Sequence, residues 1–214
     1  MIRFALRSAR VTQLLRSTAR AFGALAATLT LLLSTASCGG TEARPTGPTG
    51  DVHAPRRLYP LGLGYVWSYK IDTGTNLDSL VVMRVVRADD SHFEVSPGGG
   101  GSPSVYDRSA EGLFRPGSGT WLLRAPITLG ATWPSTSGMT ATVTSVTARE
   151  STGAGDFEGC VEVTETGGEA GRVTRTVYCP DVGPVLIDTS MEMTVTQSSL
   201  HVIAKLQGFS FGGD

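Results

Sequence analysis

Two aspartates that follow strand-like runs are candidates for acid–base chemistry. Asp72 comes directly after the run Tyr65–Ile71 and precedes Thr73-Gly74-Thr75. Asp188 comes directly after the apolar run Val185–Ile187 and precedes Thr189 and Ser190. Two carboxylates that strands deliver to neighbouring turns can share one proton and activate a water molecule. Such a pair would make the protein a hydrolase.

Asp72-Thr73-Gly74-Thr75 resembles the short signature of aspartic proteases, in which a strand carries the catalytic aspartate into a tight turn. Ser190 stands where a second copy of the signature would need glycine, and a folded part at residues 58–214 is too short for two ordinary lobes. The alternative is a hairpin turn at Asp72–Asn76 between Tyr65–Ile71 and Leu80–Val86, built from common turn residues. We favour the turn over an aspartic-protease-like hydrolase that uses Asp72.

Other residues that carry chemistry lack suitable partners in the sequence. Asp72, Asn76 and Asp78 could hold calcium, but their spacing lacks the full loop pattern and its closing glutamate. His92 and His201 alternate with apolar neighbours, as solvated face residues do, and have no nearby metal-ligand partner. No Gly-x-Ser-x-Gly elbow supplies a serine nucleophile. The sequence therefore predicts no catalytic residue, no metal and no cofactor.

Cys160 and Cys179 lie in two β-type runs on either side of the segment 168–171, Gly-Glu-Ala-Gly. Its two glycines accept the positive φ that a tight reversal needs, which predicts a hairpin. A register that pairs Glu165 with Thr174 sets Cys160 opposite Cys179, and cross-strand neighbours lie about 4.5–5.5 Å apart. A structural disulfide is favoured over a redox-active or metal-binding pair, for which a close Cys-x-x-Cys spacing is typical.

The first 37 residues have the three parts of an export signal. Met1–Arg20 contains five arginines and no acidic residue, Ala21–Leu33 is apolar, and Ser34–Ser37 supplies small residues. The apolar run is shorter than the ~20 residues that a membrane-spanning helix needs. A mitochondrial transit peptide would account for the arginines, but for neither the apolar run nor the small residues.

Ala36-Ser37-Cys38, followed by Gly39-Gly40, resembles the lipobox of bacterial lipoproteins. In that family the cysteine receives a diacylglyceryl group and becomes the new N-terminus. Thr35 departs from the leucine that is usual three residues before the cysteine. The resemblance implies lipid attachment at Cys38, with simple secretion as the alternative, and it leaves an even number of cysteines for a disulfide.

The rest of the chain divides into a tether and one β domain. Residues 38–57 are rich in proline, glycine, threonine and charge, so we expect a disordered tether. Residues 58–214 contain ten to twelve short β-type runs and no strong helix, although Leu200–Gln207 could also form one. This pattern predicts an all-β domain whose antiparallel strands form a meander, either a curved sheet or an open half-barrel.

Particular runs carry further expectations. In Tyr65–Ile71 the aromatic residues Tyr65, Trp67 and Tyr69 share one face, for which core packing is favoured over a ligand platform. Ile127–Trp133 is expected to be a strand. In Met139–Ala148 the alternation slips between Val143 and Val146, which predicts a β-bulge.

The charge of the chain excludes one large class of partner. The whole sequence has a formal net charge of −1, and all five arginines of the signal precede Cys38. The remaining chain has thirteen lysines and arginines against nineteen acidic residues, a formal charge of −6. A nucleic-acid binder presents a basic face, so no nucleic-acid partner is expected.

A wider resemblance covers most of residues 59–187. Its motifs match a pattern in uncharacterised bacterial exported and lipid-anchored proteins, and they comprise Tyr59-Pro60-Leu61, Gly64, Trp67, Tyr69, Gly155-Asp156-Phe157-Glu158, Cys160, Val163, Tyr178, Pro180, Val182-Gly183 and Val185. The resemblance implies a curved antiparallel sheet, akin to the half-barrels of periplasmic lipoprotein carriers, and implies no established activity.

Together these observations predict a protein of the bacterial cell envelope, lipid-anchored to the outer membrane on its periplasmic or surface side. Its expected role is that of a non-enzymatic binding or structural module, with the membrane as partner through the anchor. A carrier for a hydrophobic ligand or a lipoprotein, and the hydrolase that uses Asp72, are the alternatives. An apolar concavity in the sheet would favour the carrier.

Overall fold

Short runs of valine, threonine and aromatic residues, separated by glycine and proline turns, form twelve strands in the described part of the chain. The structure is a computed structural model that describes residues 51–74, 79–168, 171–193 and 198–212. The predicted signal, Cys38 and most of the predicted tether lie outside these residues. The strands are β1 (Val66–Asp72), β2 (Ser79–Ala88), β3 (His92–Pro97), β4 (Ser104–Ser109), β5 (Gly112–Arg115), β6 (Thr120–Arg124), β7 (Thr132–Pro134), β8 (Met139–Thr152), β9 (Gly155–Gly167), β10 (Val173–Cys179), β11 (Gly183–Met193) and β12 (Ser198–Ser210).

All twelve strands belong to one antiparallel sheet. Two meanders, β1–β6 and β7–β12, are joined where β1 pairs with β12. The two edge strands, β6 and β7, contact each other, so the sheet is barrel-like and nearly closed. The predicted all-β class and the predicted antiparallel meander are confirmed. Leu200–Gln207 is part of β12 and is not helical.

The aromatic face of β1 points into the sheet, as predicted. Trp67 is fully buried and Tyr69 nearly so, whereas Lys70 on the opposite face is exposed. The Trp67 indole Nε1 donates to the carbonyl oxygen of Val182 at 2.6 Å. Gly183 fits against the indole because it has no side chain: a Cβ at that position would lie 3.0 Å from Nε1. The core-packing interpretation of this face is confirmed.

The β9–β10 hairpin has the register expected from the sequence. Glu165 pairs with Thr174, and Val161 pairs with Tyr178. Gly168 and Gly171, at the two ends of the predicted turn, have φ values of 80° and 57°. Cys160 and Cys179 form a buried disulfide with their Cα atoms 4.3 Å apart.

The predicted irregularity in β8 is also present. The pairing of β8 with β9 shifts between Val143 and Ser145 and again between Ser145 and Ala148. Such shifts let a long strand bend. Because β8 and β9 are both long, they must bend to follow the curvature of the sheet.

Two short helices were not expected. The helix α1 (Pro55–Leu58) begins with proline, whose fixed φ suits the first turn, and buries Leu58 completely. A 3₁₀ turn covers Thr136–Gly138. The predicted boundary between tether and domain, at residue 57, falls inside α1. Among the described residues, no helix has the length and apolarity to span a bilayer.

The N-terminal segment closes one end of the sheet. α1 packs against β5, β10 and β11. Arg57 Nε donates to Asp181 Oδ1 at 2.9 Å, and the Arg57 carbonyl oxygen accepts from the Asp181 backbone nitrogen at 2.7 Å. In the same segment, the side chains of Leu58, Tyr59 and Leu61 are buried. We call this end, formed by residues 55–61 and the β10–β11 turn, the plugged end.

One predicted strand is wrong. Ile127–Trp133 contributes only its last two residues to a strand, β7. Ile127 is buried, but Leu129 is 68% exposed and Gly130 has φ 81°. The Ala131 backbone nitrogen donates to the Thr128 carbonyl oxygen at 2.9 Å, as in a turn. The apolar residues of this run therefore belong to a loop that joins the two meanders.

The bond from Trp67 to Val182 should contribute measurably to stability. We expect Trp67→Phe to lower the free energy of unfolding by about 1–2 kcal/mol more than Trp133→Phe, measured by urea denaturation. Both substitutions remove similar volume from a buried site, but the buried Trp133 Nε1 has no hydrogen-bond partner among the described residues. Equal losses of stability in the two variants would contradict this assignment.

Candidate functional site

The curved sheet encloses a cavity of about 330 Å³, which lies within the size range of small-molecule pockets. Both meanders contribute to its wall. The lining is mainly apolar and aromatic: Tyr59, Tyr69, Ile71, Val81, Met83, Tyr106, Leu122, Tyr178, Pro184, Ile187 and Ala204, joined by Arg115, Thr136, Glu165, Arg172, Thr174, Thr176 and Thr189. The apolar concavity expected of a carrier is therefore present.

The position of each lining residue along its strand gives the cavity a direction. On β10 the lining residues run from Tyr178, near the plugged end, through Thr176 and Thr174. They end at Arg172, which directly precedes the strand on the side of the β9–β10 turn. The plugged end is thus the floor of the cavity, and we call the opposite end, near Arg172 and Thr189, the mouth.

The floor is built from tyrosines. Tyr59 makes edge-on ring contacts with Trp67 and with Tyr106, at centroid distances of 5.3 and 5.9 Å. Tyr69 donates its hydroxyl to the Pro184 carbonyl oxygen at 2.8 Å. Burial raises the pKa of Tyr59, Tyr69 and Tyr178 above the usual value, so these hydroxyls stay neutral. The tyrosine side chains of the floor are consequently uncharged.

One ion pair crosses the cavity. Arg115 Nη1, from β5, lies 3.6 Å from Glu165 Oε1 on β9. The Ser135 hydroxyl donates a short hydrogen bond to the same carboxylate oxygen, and Arg115 Nη1 donates to the Ser135 hydroxyl at 3.4 Å. The Glu165 side chain is only 12% exposed, so its charge is held by these two partners and not by water.

Arg172 is the second cation of the lining. Its Nε atom is buried and has no hydrogen-bond acceptor among the described residues. Within the same residues, no carboxylate lies within ion-pair distance of its guanidinium group. Buried guanidinium nitrogens are strong donors, and one without a partner is costly in free energy.

The two aspartates that could have formed a catalytic pair lie apart. Asp72 on β1 and Asp188 on β11 both pair with Ile203, in the intervening strand β12. Two strand spacings separate them by about 10 Å, too far to share a proton. Their neighbours Ile71, Ile187 and Ala204 line the cavity, so both aspartates belong to the outer face.

Each aspartate has a local partner instead. Asp72 Oδ1 accepts from the Gly74 backbone nitrogen at 2.8 Å, as expected of a side chain that caps a turn. Asn76 and Asp78, the other proposed calcium ligands, lie outside the described residues. Asp188 Oδ1 lies 2.7 Å from His201 Nε2.

Both histidines are accessible to solvent, as predicted, but each also lies against a carboxylate, which the sequence interpretation did not expect. His92 Nδ1 lies 2.8 Å from Asp107 Oδ1, and His201 is held by Asp188 in the same way. Asp107 and Asp188 lie on strands next to their histidines, and His92 Nε2 also lies 3.9 Å from Glu94 Oε1 on its own strand. In residues 51–74, 79–168, 171–193 and 198–212, no three metal-binding side chains cluster.

Sequence reasoning missed the charged residues of the cavity. Arg115, Glu165 and Arg172 lie on different strands or turns, and only the closure of the sheet brings their side chains to one cavity. One signal was available: the inward face of β10 carries Thr174 and Thr176, both nearly fully buried, where a packed core would have apolar residues. A polar inward face within an apolar sheet is typical of a ligand site.

Comparisons with known proteins give structural likeness only. No family model matches the chain, and no curated protein matches its sequence. A provisionally assigned exported protein with a YmcC-like fold from Bacteroides fragilis is similar at a TM-score of 0.45 and 14% identity. A provisionally assigned lipoprotein from Parabacteroides distasonis is similar at a TM-score of 0.41 and 15% identity. Each similarity covers 72% of this chain and 98% of the other.

We expect Asp72 to act as a turn residue. Asp72→Asn should leave stability nearly unchanged, because the amide oxygen can still accept from Gly74, whereas Asp72→Ala should cost about 1 kcal/mol or less. Thermal melts of the three proteins check this. The wild type should also fail to cleave an unfolded protein at acid pH. Acid proteolysis that disappears in Asp72→Asn would refute the turn assignment.

Proposed function

We propose that this chain is an exported protein of the bacterial cell envelope, anchored by lipid at Cys38, which binds an apolar small molecule inside its curved sheet without transforming it. The observation that carries the proposal is the cavity between the two meanders. Its volume and mainly apolar lining suit a hydrocarbon chain or a comparable apolar group.

The physical chemistry of the lining supports binding as the role of the cavity. Each buried methylene group of a ligand contributes about 0.8 kcal/mol, so a chain of moderate length gains enough free energy to bind despite the entropy lost on association. Ile71, Met83 and Ile187 supply apolar contacts along the wall. Because the cavity is already present, a hydrocarbon chain of the ligand can transfer from water to these residues without a rearrangement of the strands.

The arrangement of titratable groups argues against the hydrolase alternative. A proton-sharing pair needs two carboxylates in contact, and Asp72 and Asp188 are separated by a strand. The carboxylate inside the cavity, Glu165, is held by Arg115 and Ser135.

The proposed location follows from the sequence. The export-signal pattern ends at Cys38, and residues 38–54 are long enough to separate an anchored N-terminus from α1. More than one acyl chain on Cys38 would give stable attachment to a bilayer. An anchored carrier would reach apolar ligands at the membrane surface.

Filling the cavity should abolish ligand binding. We expect Thr189→Trp to lower the affinity for the neutral fluorescent probe N-phenylnaphthylamine by tenfold or more, because the indole would occupy the cavity. Ser190→Trp is the matched control, since Ser190 is the next residue on β11 and faces the outer surface. Fluorescence titration measures both. Unchanged binding in Thr189→Trp would place the probe elsewhere and remove the support for this function.

Lipid attachment is tested separately. Cys38→Ala should move the protein from the membrane fraction to the soluble fraction of the envelope, because the acyl chains would be absent. Mass spectrometry of the wild type should find an acylated peptide that begins at Cys38. An unmodified N-terminus at another residue would contradict the anchor and would leave the cavity proposal intact.

A further inference from the structure

We propose that the ligand is an anionic amphiphile whose single carboxylate or phosphate binds Arg172 at the mouth, while its hydrocarbon chain lies along the cavity. This inference rests on the proposed binding function and specifies the chemistry of the ligand. It depends on three features of the described residues: the charge balance of the lining, the unpartnered nitrogen of Arg172, and the place of Arg172 along the cavity.

The lining carries one positive charge in excess. Its charged side chains are Arg115, Glu165 and Arg172, and every other lining residue is neutral. Arg115 and Glu165 compensate each other, with Ser135 as a further donor to the carboxylate. Arg172 has no such carboxylate among the described residues. An apolar cavity with one uncompensated cation favours an anion over a neutral or cationic ligand.

The geometry of Arg172 provides the second argument. Its Nε is shielded from water and donates to no acceptor in the described structure. A ligand anion would supply the missing acceptor, and the planar guanidinium group can donate two parallel hydrogen bonds to a carboxylate or a phosphate. The Nε atom is already buried, so a bond at this atom needs little further desolvation of the protein.

The position of Arg172 sets the orientation of the ligand. Thr174, Thr176 and Tyr178 follow at intervals of two residues on the same inward face, from the mouth toward the floor. Ile71 and Ile187 lie on the walls beyond the mouth. An anionic group at Arg172 therefore directs an attached chain inward, where the lining is apolar and the tyrosine floor is uncharged.

The test compares ligands that share a chain and differ in the head group. Dodecanoate, dodecyl phosphate and dodecanol are titrated against the full mature protein, each by displacement of N-phenylnaphthylamine. We expect at least one of the two anions to bind about tenfold tighter than dodecanol, as charge-assisted hydrogen bonds do. The tighter of the two anions identifies the head group as carboxylate or phosphate.

Substitutions then assign the preference to one residue. Arg172→Gln should remove the preference for the anion over dodecanol, and Arg172→Lys should retain part of it. Arg149→Gln is the control for loss of a positive charge, because Arg149 is 76% exposed on the outer surface. It should keep the full preference.

The outcomes separate this inference from the function on which it rests. Equal affinities of the wild type for both anions and dodecanol would overturn the anionic ligand and leave apolar binding standing. A preference that survives in Arg172→Gln would also overturn it. If neither the probe nor any of the three ligands binds, the proposed function itself fails.

Discussion

The pairing of β1 with β12 is the constraint on which the rest of the structure depends. Without it, the chain would form two six-stranded meanders with no common interior. Two buried hydrogen bonds strengthen the junction from inside: Trp67 donates to Val182, and Tyr69 donates to Pro184. Both bonds run from β1 to the start of β11 and so pass over β12. The closed sheet, the plugged end and the cavity all follow from this junction.

Local and repeated features were predictable from the sequence. The register of the β9–β10 hairpin followed from two glycines, an alternating pattern and a cysteine pair, which all specify one pairing. The aromatic face of β1 and the bulge in β8 could be predicted because strand periodicity is strict and a slip in it is visible. The prediction of a strand at Ile127–Trp133 was wrong because the apolar residues of a loop can also pack against the core.

The cavity depends on contacts that sequence patterns do not encode. Arg115 and Glu165 are far apart in sequence, and their side chains meet only because β5 and β9 face each other across the closed sheet. The role of α1 was hidden for a similar reason. Arg57 belongs to a segment with the polar composition of a tether. Its partner Asp181, in the β10–β11 turn, nevertheless fixes its position. The composition of a segment indicates how exposed it is on average. It does not indicate individual contacts such as these, which depend on the tertiary arrangement.

Two buried donors of the interior differ in whether they have an acceptor. At the plugged end, the buried Trp67 Nε1 donates to Val182, so this donor contributes to stability without a ligand. At the mouth, Arg172 Nε has no acceptor within the described part of the chain, and a buried donor without an acceptor lowers the stability of the free protein. A ligand that supplies the acceptor removes this deficit, so the same atom weakens the free state and strengthens the complex. The stability of the protein should therefore rise with the concentration of an anionic ligand, by mass action on the folded state.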